Sequence, residues 1–444
     1  MRVVAQVLRL AVAGVLAAGT MAAGSTVVRA QSIGQEAISY LNTFAFSQSL
    51  QTWDQAKLFN AEAVLDHSRF GFKPEGMMLP AGHMLFPSVT VKSLYDDNIF
   101  LDKNKVGDLR TVASTYTLFT SNLPRHQFQV EVDSEFDSFK EHSYLNYGNA
   151  NLKGNFRIDI DAADTLGGSF QTEYGHHDDF LPIDPKNIAA PIPVWINRGA
   201  LGYMHDAGRA SLAVGADWQR TQYFNVPTYG GDIVDETIAD NDKSGVFGTM
   251  NYRWSPGYRG FIAVRAEREV FPNESTQFAN HNTYFAETGV VFEYDALLQF
   301  SLYGGYQSIQ FDDPARANFG TATFNASLQW LPSQRMTVYL DAGRQMLEAY
   351  DRVNFAQVDD HIHGRLQYDI YHNIVGTLDL SLQQGSFVGS TRLDTIWNAG
   401  ASVDYLFNEN LALTLSYQHI QRTSNESKFD FDDNRFMASL KLSQ

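Results

Sequence analysis

The sequence predicts an all-β chain, an antiparallel transmembrane up-and-down β-barrel of about 18 strands with short periplasmic turns and long extracellular loops. Three observations predict it. Apolar and polar residues alternate from about Pro87 to the end, the connecting segments sort by length into two classes, and aromatic residues gather near strand ends.

The alternation is clearest from Phe319 onward. Ala322, Phe324, Ala326, Leu328 and Trp330 alternate with Thr321, Thr323, Asn325, Ser327 and Gln329. After Leu331-Pro332-Ser333-Gln334-Arg335 the pattern restarts, with Met336, Val338, Leu340 and Ala342 opposing Thr337, Tyr339, Asp341 and Gly343. Elsewhere Phe128, Val130 and Val132 oppose Glu131, Asp133 and Glu135; Ile262, Val264 and Ala266 oppose Arg265, Glu267 and Glu269; Leu378, Leu380 and Leu382 oppose Asp379 and Ser381. Such a strand suits a soluble sandwich with its apolar face inside, or a membrane barrel with that face on lipid.

The connections decide between the two. Links after even-numbered strands are short, such as "DAADT", "HDAGR", "SPGYR" and "FNEN". Links after odd-numbered strands are long and polar, such as "HHDDFLPIDPKNIAAPIPVW", "FNVPTYGGDIVDETIADNDKSG" and "GSFVGSTRLD". A sandwich has no reason to sort its loops by parity, whereas an outer-membrane barrel does so. Both ends of the barrel then fall on the periplasmic side. The apolar faces mix Leu, Val, Phe and Ile with Ala, Gly and Thr, which fluid lipid tolerates and a close-packed core does not. Trp218, Trp254, Trp330, Tyr306, Tyr405 and Tyr417 sit where interfacial girdles belong.

Ahead of the barrel, Arg2 and Arg9 precede a short apolar stretch, and Val28 and Ala30 form a cleavage signature before Gln31. Residues 1–30 therefore read as a secretory signal peptide, too short in its apolar core to span a bilayer. No internal run is long and apolar enough for a transmembrane helix. Residues 31–82 carry a weak helical rhythm and then an irregular Gly/Pro lead-in, a periplasmic or lumenal extension; residues 83–444 form the barrel. The chain has no cysteine, and its formal charge of −17 argues against a nucleic-acid partner.

The stretch "FGFKPEGMMLPAGHMLFPSVTVKSLYDDNIFLDKNKVGDLRT" resembles the start of a family of outer-membrane β-barrel porins from polysaccharide-producing Gram-negative bacteria. Pro87 and Ser88 stand where the family opens its first strand, and Tyr95, Asp96, Asp97 and Asn98 match its "YDDN" end; "LPRHQFQVEVDSEFDSF" resembles its third strand. The resemblance implies an outer-membrane channel linked to exopolysaccharide or capsule export. Its partners would be outer-membrane lipid and lipopolysaccharide, the barrel-assembly machinery and periplasmic polysaccharide-export components. The C-terminal "FMASLKLSQ" departs from the usual aromatic ending, so the assembly signal is expected to be imperfect.

No catalytic, phosphate-binding or dinucleotide motif occurs, so neither an enzyme nor a cofactor is expected. "HHDD" (His176, His177, Asp178, Asp179) and "DDHIH" (Asp359, Asp360, His361, His363) lie at the outer rim. His361 and His363 share a strand face, yet His and Asp are common in polar loops, and no metal site is assigned. The polar faces carry the functional expectation. The lumen-lining, selectivity-setting residues are Glu131, Asp133, Glu135, Arg157, Asp159, Asp217, Arg265, Glu267, Glu269, Asp341, Arg365 and Asp379. Acids outnumber bases, so negative stripes on strands three and nine should favour cations, unless Arg157 and Arg265 neutralise them. A general diffusion porin differs from an export channel by an inward-folded loop, for which about 175–196 and 225–244 are candidates. A plugged structural or adhesive barrel and a rim hydrolase are the remaining alternatives.

Overall fold

The computed structural model describes residues 74–177, 190–228, 230–294, 297–348 and 356–444. The expected signal peptide, most of the extension, and Asp178 and Asp179 lie outside the described residues.

Eighteen long strands run in chain order around a closed ring. They are β1 (Met84–Asp96), β2 (Asp108–Thr120), β3 (His126–Phe139), β4 (Tyr147–Asp159), β5 (Asp164–His177), β6 (Ile192–Asp206), β7 (Ala210–Tyr223), β8 (Asn241–Ser255) and β9 (Tyr258–Val270). Then follow β10 (His281–Tyr294), β11 (Leu298–Phe311), β12 (Phe319–Ser333), β13 (Met336–Glu348), β14 (Ala356–Tyr371), β15 (Ile374–Phe387), β16 (Leu393–Leu406), β17 (Leu411–Ser424) and β18 (Phe431–Ser443). Each pairs antiparallel with its sequence neighbours, and β1 pairs with β18 from Ser88↔Ser443 to Asp96↔Arg435. Closure leaves no sheet edge in lipid, the condition for strands to cross a bilayer.

Alternate residues divide cleanly between two faces. One parity presents half-exposed large apolar side chains, among them Val89, Val132, Ile262, Leu380 and Leu415. The other holds Lys92, Glu131, Arg265, Asp379 and Thr414, set side by side by the register. The apolar face is the outer one: ringed by lipid it needs no partners, whereas the charges need the wet lumen. Trp218, Trp254, Trp330, Tyr306, Tyr405 and Tyr417 are all exposed on it.

The strands hold 13 to 16 residues, more than the roughly 9–11 that span a bilayer. The excess lies on the loop side. There the outward row turns charged, with Arg344 donating to both carboxylate oxygens of Asp360 at 2.7 Å and Arg268 reaching Asp312 at 2.7 Å. The short turns follow local chemistry: in Ser255-Pro256-Gly257-Tyr258, proline precedes a glycine at φ 76°, and a Cβ there would lie 2.4 Å from the Glu293 carbonyl oxygen.

The first strand starts at Met84 rather than Pro87. β18 ends before it can pair with Met84 and Leu85, and a two-residue strand, Met77–Met78, takes that place outside the ring. At the other end of this seam the "YDDN" residues latch β1 to β18. Asn98 is fully buried and donates to the carbonyls of Asp102 and Asp432, both at 2.8 Å. Asp97 accepts from the Asn434 backbone and side chain, both at 2.7 Å, and pairs with Lys105 at 3.0 Å. Burial pushes the Asp97 carboxyl up, but the hydrogen bonds from Asn434 and Lys105 outweigh it and hold the group below the usual carboxylate range.

Among the described residues the barrel has no central apolar core, and buried apolar clusters gather at the extracellular mouth, where loops fold onto the inner wall. Ile99 and Phe100 pack against Phe139, Leu145 and Tyr147. Ala239 packs against Val194, Ile196 and Tyr223, so the loop after β7 leans inward. A third element was not foreseen. Residues 319–323 of β12 bond to β11 alone, because the β12–β13 ladder stops at Phe324↔Arg344. Past this split Met346 and Ala356, on the outward parity of β13 and β14, pack against Ile309 on the inward parity of β11. Opposite faces can meet only if the described end of the β13–β14 hairpin lies inside the β11–β12 hairpin. The expected inward loop at 175–196 lies largely outside the described residues.

Candidate functional site

The candidate site is the inner wall, and the register brings its charged residues into three groups rather than one. All twelve residues named from the sequence fall on the inward parity of their strands.

The first group lines β3 and β4. Glu135 pairs with Lys92 of β1 at 3.6 Å, Glu131 with Lys153 of β4 at 3.8 Å, and Asp133 accepts from Asn151 Nδ2 at 2.8 Å. Arg157 does not serve this row. It sits beside Gln127, nearer the periplasmic end, and its Nε donates to Asp159 on its own strand at 2.7 Å.

The second group lies on β7–β10, and here the expected continuous negative stripe is broken. Arg265 donates through Nη2 to Asp217 Oδ1 at 2.7 Å and also pairs with Glu267. To reach Asp217 it passes over Gly245 of β8, where a Cβ would lie 2.7 Å from its Nη2. Glycine at 245 is therefore what lets one guanidinium serve two strands. Phe247 and Phe285 flank Arg265 in register on β8 and β10, and both are buried. Glu269, only 1% exposed, lies between Lys243 at 3.7 Å and His281 at 3.3 Å.

The third group spans β13–β15. His361 meets Asp341 at 2.9 Å; His363 meets Asp379 at 3.0 Å, and Arg365 donates to the same carboxylate at 3.2 Å. The two histidines thus turn to carboxylates on neighbouring strands rather than to each other. Among the described residues no group of three or more His, Cys, Asp or Glu side chains could hold a metal ion.

The inner wall carries more cations than the sequence reading assigned. Arg110, Lys153, Arg198, Lys243 and Arg435 all take inward positions and pair with Asp137, Glu131, Glu173, Glu269 and Asp96 respectively. The signal was available for Lys153, which stands two strand periods before Arg157. Arg198 stands beside Gly199, and Lys243 lies between polar Asp242 and Ser244, so alternation alone did not reveal them. With acids and bases interleaved, the wall can orient polar solutes and screen charge locally, and its net excess remains acidic.

Residues 72–444 match the family model described as "Putative beta-barrel porin 2". No curated protein matches the chain. Several solved barrels are similar in architecture. Pseudomonas aeruginosa OccK2 (OpdF) is 12% identical with a TM-score of 0.48, over 81% of this chain and 98% of that one. Pseudomonas aeruginosa OpdK, solved with vanillate, is 12% identical with a TM-score of 0.44, over 81% and 99%. Acinetobacter baumannii OccAB4 is 10% identical with a TM-score of 0.45, over 81% and 98%.

Proposed function

The chain belongs to this β-barrel porin family of the outer membrane, and from that premise we propose that it is a channel for small hydrophilic solutes, cation-preferring and without enzymatic activity. The observation that carries this is the closed ring of eighteen strands with an apolar outer face and a charged inner one. A ring of that size leaves an aqueous lumen. The loop after β7, the loop after β1 and the end of the β13–β14 hairpin pack against the inner wall at the mouth. An inward-folded mouth favours small solutes over an extended chain. Export of exopolysaccharide or capsule, which the family resemblance implies, is the second reading, and periplasmic export components would be its partners. Planar-bilayer recordings test both. Discrete conductance steps that persist when long dextrans are added support the small-solute channel. Dextran block from the periplasmic side supports glycan passage, and a silent membrane removes the channel reading.

A further inference from the structure

Glu287 lies near the middle of β10, on the inward parity. It is 5% exposed, and among the described residues neither an ion pair nor a hydrogen bond reaches its carboxylate. It differs in this from Glu135, Asp217, Glu267 and Asp379, each of which meets a cation. Arg265, the nearest cation by register, turns toward Asp217 and Glu267 on the other side. A carboxylate withdrawn from water without a partner is costly, and it either takes up a proton or draws a positive group to itself.

The surroundings say which kind. In register with Glu287 stand Ala263, Gly305 and, one strand on, Thr323, so the floor beside the carboxylate is made of small side chains. One inward position above it is Phe285. One position below is Gly289, where a Cβ would lie 2.8 Å from Phe261 Cε1, so the Phe261 ring covers that glycine. The Tyr303 ring lies 6.1 Å from the Phe261 ring, centroid to centroid. One carboxylate over small side chains, with three rings at adjoining inward positions, suits an organic ammonium, which aromatic faces attract and which is weakly hydrated. A hard metal ion would need several more oxygens.

We propose that Glu287, with the rings of Phe261, Phe285 and Tyr303, forms a niche in the pore wall that binds an organic ammonium group carried by a permeating solute. Access along the lumen rests on the channel reading; the niche itself does not. The test uses the purified full-length barrel and tetramethylammonium chloride as probe. Isothermal titration in detergent measures binding without requiring conduction, and interruption of single-channel current measures it in the open pore. Glu287→Gln should weaken both by at least about tenfold, the loss of one desolvated charge contact, and Phe261→Leu by about threefold. Heat-modifiable gel mobility equal to that of the unmodified barrel shows that Glu287→Gln folds. Absence of saturable binding by the unmodified barrel, or equal binding by Glu287→Gln, overturns the niche. Binding that depends on Glu287 in a barrel that does not conduct upholds the niche and overturns the channel reading instead.

Discussion

On β3, Glu131 and Glu135 are met by the ammonium ends of Lys153 and Lys92 at 3.8 and 3.6 Å; on β9, Glu267 shares a flat guanidinium with Asp217 between two phenylalanine rings. The two rows are similar in the primary sequence, acids spaced two apart on an inward face. Their surroundings make them different objects. Lys153 and Glu131 stand in a wet part of the wall, their side chains 37% and 25% exposed, and such a pair contributes roughly 0–1 kcal/mol, whereas Lys92 and Glu135 are as enclosed as Arg265. A buried guanidinium with two carboxylates is a structural joint, and removing one member leaves the others uncompensated. The lumen field is therefore set less by the number of acids than by which of them are enclosed. The β3 row should govern ion preference, and the β9 row should hold the wall together.

Breaking the joint gives the largest effect. Arg265→Gln leaves Asp217 and Glu267 facing each other in a poorly solvated wall. It should lower stability by about 3–5 kcal/mol, read as a shift in the urea midpoint of unfolding from lipid vesicles. Lys153→Gln on the β3 side should leave that midpoint nearly unchanged. Equal shifts for the two variants would abolish the distinction between the rows.

The frame that both rows share can be broken from outside. Leu380 faces lipid near the middle of β15, beside Gly364 and Ala399. Leu380→Arg should cost about 2–4 kcal/mol near the bilayer midplane, whereas Ser381→Arg, facing the lumen, should insert normally. Heat-modifiable gel mobility measures insertion. A harmless Leu380→Arg, or a worse Ser381→Arg, would mean that the two faces are assigned the wrong way round.

Both predictions rest on features that differ in how far the sequence exposes them. Facing was legible, because within the bilayer a period of two sets lipid against water at every step; Glu131, Arg265 and Asp379 are placed by that rhythm alone. Above the bilayer both faces are wet and the rhythm fades. Gly385, Ser386, Leu393 and Asp394 look like loop and are strand, which is why the link between β15 and β16 is shorter than "GSFVGSTRLD" suggested. Pairings across strands were not legible, since they depend on register. Arg265 reaches Asp217 because Gly245 leaves the way clear, and nothing in the local alternation announces that. The inward end of the β13–β14 hairpin left a trace in the adjacent apolar pair Met346 and Leu347, at a height where outward residues should be polar.

Selectivity separates the rows without unfolding the barrel. Neutralising Glu131, Asp133 and Glu135 together, as Gln, Asn and Gln, should move the reversal potential under a KCl gradient toward zero. The pair Glu267→Gln and Glu269→Gln should move it little and should instead weaken folding. The acids of one row lie roughly 7 Å apart along the strand, inside the Debye length of about 10 Å at 0.1 M salt, so the β3 row acts as one field. A selectivity change produced by the β9 pair and not by the β3 triple would reverse the roles assigned to the two rows.

The smallest effect probes the β3 row alone. The Lys153 side chain is 37% exposed and its ammonium stands 3.8 Å from Glu131, a separation at which water and salt share the carboxylate. Lys153→Met removes that partner and leaves Glu131 in a wet part of the wall, where a lone carboxylate is well solvated. Stability should change by no more than about 0.5 kcal/mol, within the range of exposed pairs. The uncovered charge adds to those of Asp133 and Glu135, so the reversal potential should move further toward the potassium value at 0.1 M KCl. At about 1 M KCl, where the Debye length falls to about 3 Å, the variant and the unmodified barrel should coincide. A shift toward chloride would mean that Lys153 does not offset Glu131 in solution. A shift undiminished by salt would mean that the change reshapes the pore rather than its field.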